Sequence, residues 1–326
     1  MKKFFNLLLI VAFVPLLLTT GCKKDIVDAE FDTLSEYVTT NTLDLPDILK
    51  GWVLPGSKIG VDTNDFSVPN YYVMDFRKAD DFSKGHIKGA HNVVFAKLLE
   101  EAAKTGGKDI LCVCYTGQTA ARATGFLRLA GYHAVTLKWG MAGWNADFDA
   151  KWSNNAKDVT SSNWVETGAP QAISEFDLPD FTADKTEGKD ILTARINKAI
   201  GFEWTVSNTD VLANPDNYFI NNFWPQDSWD TYGHIKGAYR ISDLKIETLK
   251  NLNPKETVVT YCYTGQTSAI TTAWLQVMGF DNAKSLLFGA NGMAHSKLVV
   301  GTVSKAAAKS WHGEGSASTL NFGYVK

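Results

Sequence analysis

The sequence predicts an α/β fold in which one unit, a mainly parallel sheet flanked by helices, is built twice. Short β-rich apolar runs alternate with helical patterns in both halves of the chain, which is typical of parallel sheets. The hexapeptide that begins at Cys114 recurs letter for letter at Cys262, 148 residues further on. With 326 residues and 45% hydrophobic content, the chain is long enough for two domains of roughly 100–200 residues.

The order of these patterns divides the chain into six segments. In the first half, strands are predicted at 71–76, 93–95, 110–113 and 134–137, and a polar stretch with Pro170 and Pro179 predicts a linker between the halves. The predicted segments are a signal peptide at 1–21, a tether and lead-in at 22–50, a first domain at 51–152, a linker at 153–200, a second domain at 201–300 and a C-terminal tail at 301–326.

The N-terminus has the pattern of an export signal. Two lysines precede an apolar run from Leu7 to Leu18, and a Gly-Cys pair ending at Cys22 follows. This ending resembles a bacterial lipoprotein signal, in which Cys22 becomes the lipidated N-terminus, although Thr19 stands where that motif prefers Leu. The alternative is an ordinary cleavage site near Gly21 and a soluble exported protein. We expect a cell-envelope protein, anchored in the membrane through Cys22, at the outer membrane or the periplasmic face.

The net charge and the cysteine content indicate which partners and which cysteine roles to expect. The net charge is −3, or −5 without the two leader lysines, and no basic run lies outside the first few residues. Nucleic acid is therefore not an expected partner. If Cys22 carries lipid, Cys112, Cys114 and Cys262 remain, which is not the even set of a disulfide framework. We expect these thiols to be chemical rather than structural, protected by burial or by a reducing partner, with no metal or cofactor.

Each copy of the hexapeptide lies between a predicted strand and a predicted helix that ends at Gly131 or Gly279. A loop in this position directs backbone N–H groups and the positive end of the helix dipole at the cysteine sulfur. We expect this arrangement to lower the pKa of the thiol from its ordinary value of about 8.5. Gly117 and Gly265 would allow the backbone to take a positive φ or a close approach.

Four motifs, in order, resemble a rhodanese domain. They are Asp75-Phe76-Arg77, the Gly-His-Ile-Lys-Gly-Ala run at 85–90, the Cys114 loop and the Gly-Met-Ala-Gly-Trp run at 140–144, and much of the set recurs in the second half. The resemblance covers residues 68–145 and 216–294. The loop pattern C-x-x-G-x-T-[A/S] is similar to that of two-domain thiosulfate and mercaptopyruvate sulfurtransferases.

This resemblance implies a fold, a reaction and a set of site residues. A small sulfane-sulfur donor would convert Cys114 or Cys262 to a persulfide, and cyanide or a thiol would then accept the sulfur. In many two-domain relatives only the C-terminal domain keeps its cysteine, whereas both are present here. The loop residues implied as the substrate and anion site are Tyr115, Thr116, Gly117, Gln118 and Thr119 in the first copy, and Tyr263, Thr264, Gly265, Gln266 and Thr267 in the second.

The residues that flank these motifs leave several alternatives open. Tyr-Thr follows each cysteine where thiosulfate-using relatives have basic residues, so Arg122 is the candidate anion contact in the first domain. Cys112 is expected in the core, with a resolving thiol as the alternative, and His86 and His234 are expected in structural turns. The second functional hypothesis is a non-enzymatic persulfide carrier or a redox-sensing module. A phosphatase is remote, because its loop ends in an Arg that clamps phosphate.

Overall fold

The computed structural model describes residues 22–313 and 318–326. The predicted signal peptide at 1–21 lies outside these residues, and so does the side chain of Cys22. In the described part of the chain, no helix combines the length and the apolar composition needed to cross a bilayer.

The first half of the chain forms a five-stranded parallel sheet. The strands are β1 (Val53–Leu54), β2 (Tyr71–Asp75), β3 (His91–Asn92), β4 (Asp109–Val113) and β5 (Ala134–Leu137). They lie in the order β1-β5-β4-β2-β3. The helices are α1 (Cys22–Thr40), α2 (Leu45–Ile48), α3 (Ala79–Lys84), α4 (Leu98–Ala102), α5 (Gln118–Leu129), α6 (Met141–Trp144) and α7 (Ala150–Ser153).

The second half repeats this arrangement. The strands are β6 (Trp164–Val165), β7 (Thr205–Val206), β8 (Phe219–Asn222), β9 (His234–Ile235), β10 (Val258–Tyr261) and β11 (Lys284–Leu286). Four of them form a parallel sheet in the order β7-β11-β10-β8, and a separate antiparallel ribbon joins β6, in the predicted linker, to β9. The helices are α8 (Gly188–Ile200), α9 (Asn208–Ala213), α10 (Gln226–Tyr232), α11 (Gln266–Val277) and α12 (His295–Val299). The predicted α/β class with two parallel sheets is confirmed.

The sequence signals for the central elements act as expected. All four residues of β10 are buried, as are four of the five in β4, which suits strands covered by helices on both faces. Gly131 and Gly279, with φ of +86° and +105°, follow α5 and α11 in the left-handed conformation that commonly ends a helix.

The strand predicted at 93–95 is wrong. The observed edge strand is His91–Asn92, and a 3₁₀ turn begins at Phe95. Both side chains of β3 are exposed, so the strand carries no apolar pattern that sequence inspection could detect. The apolar Val94 beyond it is 70% exposed.

The two sheets are joined by direct packing of α5 on α11. A single hydrophobic core cluster contains residues from both helices, among them Phe126 and Trp274. Gly125 allows a close approach, because a Cβ at that position would lie 3.1 Å from the Cβ of Ala273. The end of the chain then returns to the first domain, where Phe322 N donates to Trp144 O over 2.9 Å. The predicted C-terminal tail therefore packs on the opposite half of the molecule.

Candidate active site

Both repeated cysteines directly follow the central strand of their sheet. Cys114 follows β4 and Cys262 follows β10, at the strand ends where α/β proteins bind ligands. Gly117 and Gly265 have φ of +84° and +75° and immediately precede α5 and α11. The predicted strand, loop and helix are thus present in both copies.

The turn that closes each loop is also duplicated, with an offset of 149 residues. Gly140 and Gly289, with φ of +63° and +53°, pack against the carbonyl oxygens of Cys114 and Cys262. The strand registers agree, because Leu111 pairs with Val135 in the first sheet and Val259 with Lys284 in the second. The extra residue in the second copy therefore lies before β11, in the turn at 280–283.

The sulfur of Cys114 has the predicted cradle of backbone N–H groups. Gly117 N and Ala120 N donate to Cys114 Sγ over 3.2 and 3.4 Å. The side chain is nevertheless only 2% exposed and belongs to the main core cluster. Burial raises the pKa of the Cys114 thiol, and this effect outweighs the N–H groups that lower it. The expectation of a lowered pKa is therefore wrong for Cys114, because desolvation of the thiolate dominates.

The loop around Cys114 is covered by aromatic and amide side chains. Trp152 Nε1 and Gln266 Nε2 donate to the same carbonyl oxygen, Thr116 O, over 3.2 and 2.9 Å. Trp152 is fully buried and stacks on Trp311, with ring centroids 5.8 Å apart. The first loop is thus covered by Trp152 of α7 and Gln266 of the second domain, and the C-terminal tail packs on Trp152.

Cys262 has different surroundings. Its nearest polar side chains are hydroxyls, with Ser268 Oγ 3.7 Å and Thr264 Oγ1 4.0 Å from Sγ. Ser268 stands where the first copy has Ala120, and its hydroxyl also lies 2.8 Å from Ser285 Oγ. Cys262 lines a cavity of about 350 Å³ at the boundary between the domains. The other lining groups are Trp52, Val53, Pro55 and Lys138 of the first domain, the loop residues Tyr263, Thr264, Gln266 and Thr267, and Lys309.

Two lysines in this cavity were missed by the sequence analysis. Lys138 directly follows β5, and Lys309 comes from the C-terminal tail. Burial lowers the pKa of each ammonium. The charge of Lys309 lowers the pKa of Lys138 further, whereas the pKa of Lys309 is raised in part by the negative charge of Asp227. The position of Lys138 at the carboxyl end of a predicted parallel strand was a usable signal, whereas nothing in the tail pointed to Lys309.

The remaining loop residues hold the loops in place. Tyr115 points toward α3 and donates to Asp81 Oδ2 over 2.6 Å, and Tyr263 donates to Ser228 Oγ over 2.6 Å. Gln118 Oε1 accepts from the backbone N–H of Phe288 over 2.7 Å, across the domain boundary. The glutamines of both loops therefore tie each loop to the opposite domain. Thr119 and Thr267 are each half-buried.

Arg122 is not at either cysteine, and its prediction as an anion contact is corrected. Its Nη2 donates to Ala199 O, Phe202 O and Gln276 Oε1, at 2.7, 3.1 and 3.0 Å. The guanidinium is 2% exposed and also packs on aromatic rings. Because Arg122 lies on the face of α5 that packs against the second domain, it holds the domains together.

The other polar candidates have structural surroundings. Cys112 is fully buried in β4, and burial raises its pKa to about 12. His86 stacks on Phe82 and bonds through Nδ1 to Phe82 O over 3.0 Å, which agrees with the predicted structural turn. His234 stacks on Trp229 with ring centroids 3.6 Å apart. In the described residues, no cluster of His, Cys, Asp and Glu could hold a metal ion.

The fold and the duplicated loop define a two-domain α/β protein with a cysteine at the end of each central strand. The family model for the Rhodanese-like domain matches residues 63–147 and 215–295, slightly more than half of the chain. The chain therefore belongs to the rhodanese family and carries two rhodanese-like domains.

Three individual proteins are similar to this chain at 35% identity or less. The uncharacterized protein YibN of Escherichia coli strain K12 is 35% identical over 77 residues, which cover 22% of this chain and 54% of YibN. The chain thus spans about half the length of this relative. A thiosulfate sulfurtransferase from Pseudomonas aeruginosa is 15% identical, with a TM-score of 0.29, over 82% of this chain and 47% of its own. A 3-mercaptopyruvate sulfurtransferase from Leishmania major is 16% identical, with a TM-score of 0.28, over 77% and 75%. Similarity at this level carries no functional argument.

Proposed function

We propose that this rhodanese-family protein is a sulfurtransferase and that Cys262 is its working nucleophile. The observation that supports this assignment is the cavity of about 350 Å³ that Cys262 lines. Cys114 instead belongs to the core cluster, under a loop that Trp152 and Gln266 cover. Cys262 is itself only 3% exposed, but it borders the cavity, which supports Cys262 rather than Cys114 as the thiol that meets a small donor.

The reaction has two transfer steps. The Cys262 thiolate attacks the outer sulfur of a sulfane-sulfur donor, the bond from that sulfur to the rest of the donor breaks, and the electron pair leaves with the remainder. Cyanide or a thiolate then attacks the outer sulfur of the Cys262 persulfide and restores the thiolate. Both states of Cys262 are anionic, so the N-terminus of the 12-residue α11 and the hydroxyls of Thr264 and Ser268 serve both steps.

The test is thiocyanate formation from thiosulfate and from mercaptopyruvate, with intact-mass analysis of the protein after exposure to each donor. We expect Cys262→Ser to abolish both turnover and the gain of one sulfur atom, and Cys114→Ser to retain both. Loss of activity in Cys114→Ser alone would move the chemistry to the first domain. A protein that gains no sulfur from any donor would contradict sulfur transfer, and one that gains sulfur without turnover would be a persulfide carrier.

Export and lipid attachment at Cys22 complete the proposal. The leader sequence supports it. The three cysteines with described side chains are free, and their burial is what would protect them in an oxidising compartment. Lys23 after Cys22 favours the outer membrane by resemblance to lipoprotein sorting patterns. Labelling with radioactive palmitate tests this, since incorporation should occur in the wild type and be lost in Cys22→Ala. Label that persists in Cys22→Ala would refute the anchor.

A further inference from the structure

Three separate parts of the chain meet at the Cys262 cavity. The second domain supplies the thiol, the first domain supplies Lys138 after β5, and the C-terminal tail supplies Lys309. The loop itself carries Tyr263 and Thr264 directly after the cysteine and so contributes no cationic side chain. Any positive charge at this cavity is therefore brought by segments distant in sequence.

In the described residues neither lysine forms an ion pair within 4.0 Å, and the carboxylate of Asp227 acts on Lys309 only at longer range. Lys138 Nζ donates to the uncharged carbonyl of Ala308 over 2.7 Å. Lys309 Nζ lies 4.4 Å from the centroid of the Tyr263 ring. Each ammonium keeps N–H donors that these contacts do not use, since an ammonium has three.

We propose that Lys138 and Lys309 form a composite subsite that binds the anionic end of the sulfur donor while Cys262 attacks its outer sulfur. The identity of the transferred atom rests on the proposed function, but the anion subsite does not. The donor class is a small thiosulfonate or thiosulfate. In the thiosulfate case, the thiolate and thiosulfate give the Cys262 persulfide anion and sulfite, so that the S–S bond of the donor breaks and sulfite carries away its electron pair.

Binding of an anion would offset the electrostatic cost of keeping two ammonium groups charged beside this cavity. Burial disfavours the charged form of both ammonium groups, and the charge of Lys309 disfavours the charged form of Lys138 further. An oxyanion between the two charges would relieve that repulsion and accept charge-assisted hydrogen bonds. The cavity is also assembled from both domains and the tail, so the second domain alone lacks both cations.

Alkylation of Cys262 by iodoacetate and by iodoacetamide tests the subsite without reference to sulfur transfer. The two reagents share a reacting carbon and differ in charge, and peptide mass spectrometry assigns the product to Cys262. We expect a higher iodoacetate-to-iodoacetamide rate ratio at Cys262 than at a free cysteine. Lys138→Gln and Lys309→Gln should each lower that ratio about tenfold, as expected when one charge-assisted contact is removed.

Lys151 provides the matched control. Its ammonium lies 4.5 Å from the ring centroid of Tyr115, the counterpart of Tyr263 in the first loop, so Lys151→Gln removes a similar charge away from the cavity. In Lys151→Gln, the iodoacetate-to-iodoacetamide rate ratio at Cys262 should equal that of the wild type. Lys138→Arg keeps the positive charge and should keep the elevated ratio, which would show that a substitution at this position leaves the site folded. Equal ratios in the wild type, Lys138→Gln and Lys309→Gln would overturn the subsite.

Thiosulfate kinetics separate this inference from the proposed function. We expect kcat/KM for thiosulfate to fall about tenfold in each Lys→Gln variant, with release of sulfur from the preformed persulfide to 2-mercaptoethanol unchanged. Full thiosulfate turnover with a flat alkylation ratio would leave the function standing and overturn the subsite. An elevated, lysine-dependent ratio without sulfur transfer would retain the anion subsite and contradict the function.

Discussion

Replacement of Asp75 by Asn should destabilise the first domain strongly. The Asp75 carboxylate is 1% exposed and accepts from Arg77 Nε at 3.1 and 3.0 Å and from Arg77 Nη2 at 2.7 Å. Arg77 is equally buried and also donates to Gly85 O over 2.7 Å. Since removal of one partner of a buried pair leaves the other charge uncompensated, we expect a loss of about 3–5 kcal/mol in the free energy of unfolding.

The second domain shows how the same fold accommodates neutral residues here. Asn222 and Trp224 occupy the positions equivalent to Asp75 and Arg77, and Asn222 Nδ2 donates to Tyr261 OH over 2.7 Å. The double variant Asp75→Asn/Arg77→Leu should therefore recover part of the stability lost in Asp75→Asn, because neither buried charge remains.

Urea unfolding followed by tryptophan fluorescence measures this series, since urea leaves ionic strength unchanged. Glu100→Gln is the control, because Glu100 pairs with Lys97 at a site where both side chains are more than half exposed and should show little change. A loss below about 1 kcal/mol in Asp75→Asn, comparable with an exposed pair, would refute the argument from burial.

Three further predictions concern the loops. Gln118→Leu leaves the N–H of Phe288 without its acceptor and should destabilise the protein by about 1–3 kcal/mol in urea unfolding; no change would mean that water replaces the glutamine. Iodoacetamide at neutral pH should label Cys262 well before Cys112 and Cys114, because the pKa values of the latter two are raised and little thiolate forms. In urea the three cysteines should react at equal rates. Equal rates in the folded protein would contradict the prediction. The KM for thiosulfate should rise as the pH increases through the lowered pKa values of the two cavity lysines, starting below their ordinary 10.5. A KM that stays constant into that range would count against cationic binding of the donor.

Local signals in the sequence predicted the elements that depend on local geometry. The glycines at 117 and 265 mark the left-handed turn before each helix, and Gly131 and Gly279 mark its end. The repeat predicted two mainly parallel sheets, and the structure has one of five strands and one of four. Asp75 and Arg77, which form a buried ion pair, belong to the first of the four motifs by which the sequence resembles a rhodanese domain.

Features that depend on the packing of the two halves were not predictable. Arg122 has the residue type and the helix position of an anion contact, but the helix is rotated so that this side chain faces the second domain. Lys309 has no motif around it and reaches the cavity only because the tail crosses the domain boundary. The covering of Cys114 by Trp152 and Gln266 likewise combines residues from segments far apart in the sequence.

The two identical hexapeptides have different surroundings, because the duplicated domains differ in the residues that face each loop. Lys138, which follows β5, lines the Cys262 cavity, and Gln118 of the Cys114 loop accepts from Phe288 N, two residues after β11. With the one-residue insertion, the counterpart of Lys138 is Leu287. The Cys262 loop therefore meets a cation from the first domain, whereas the second domain has an apolar residue at the corresponding place. The first loop also lies under the aromatic cluster that contains Trp152 and Trp311. Because residues outside the hexapeptide decide charge and access, the two cysteines can diverge in reactivity while their own loops remain identical.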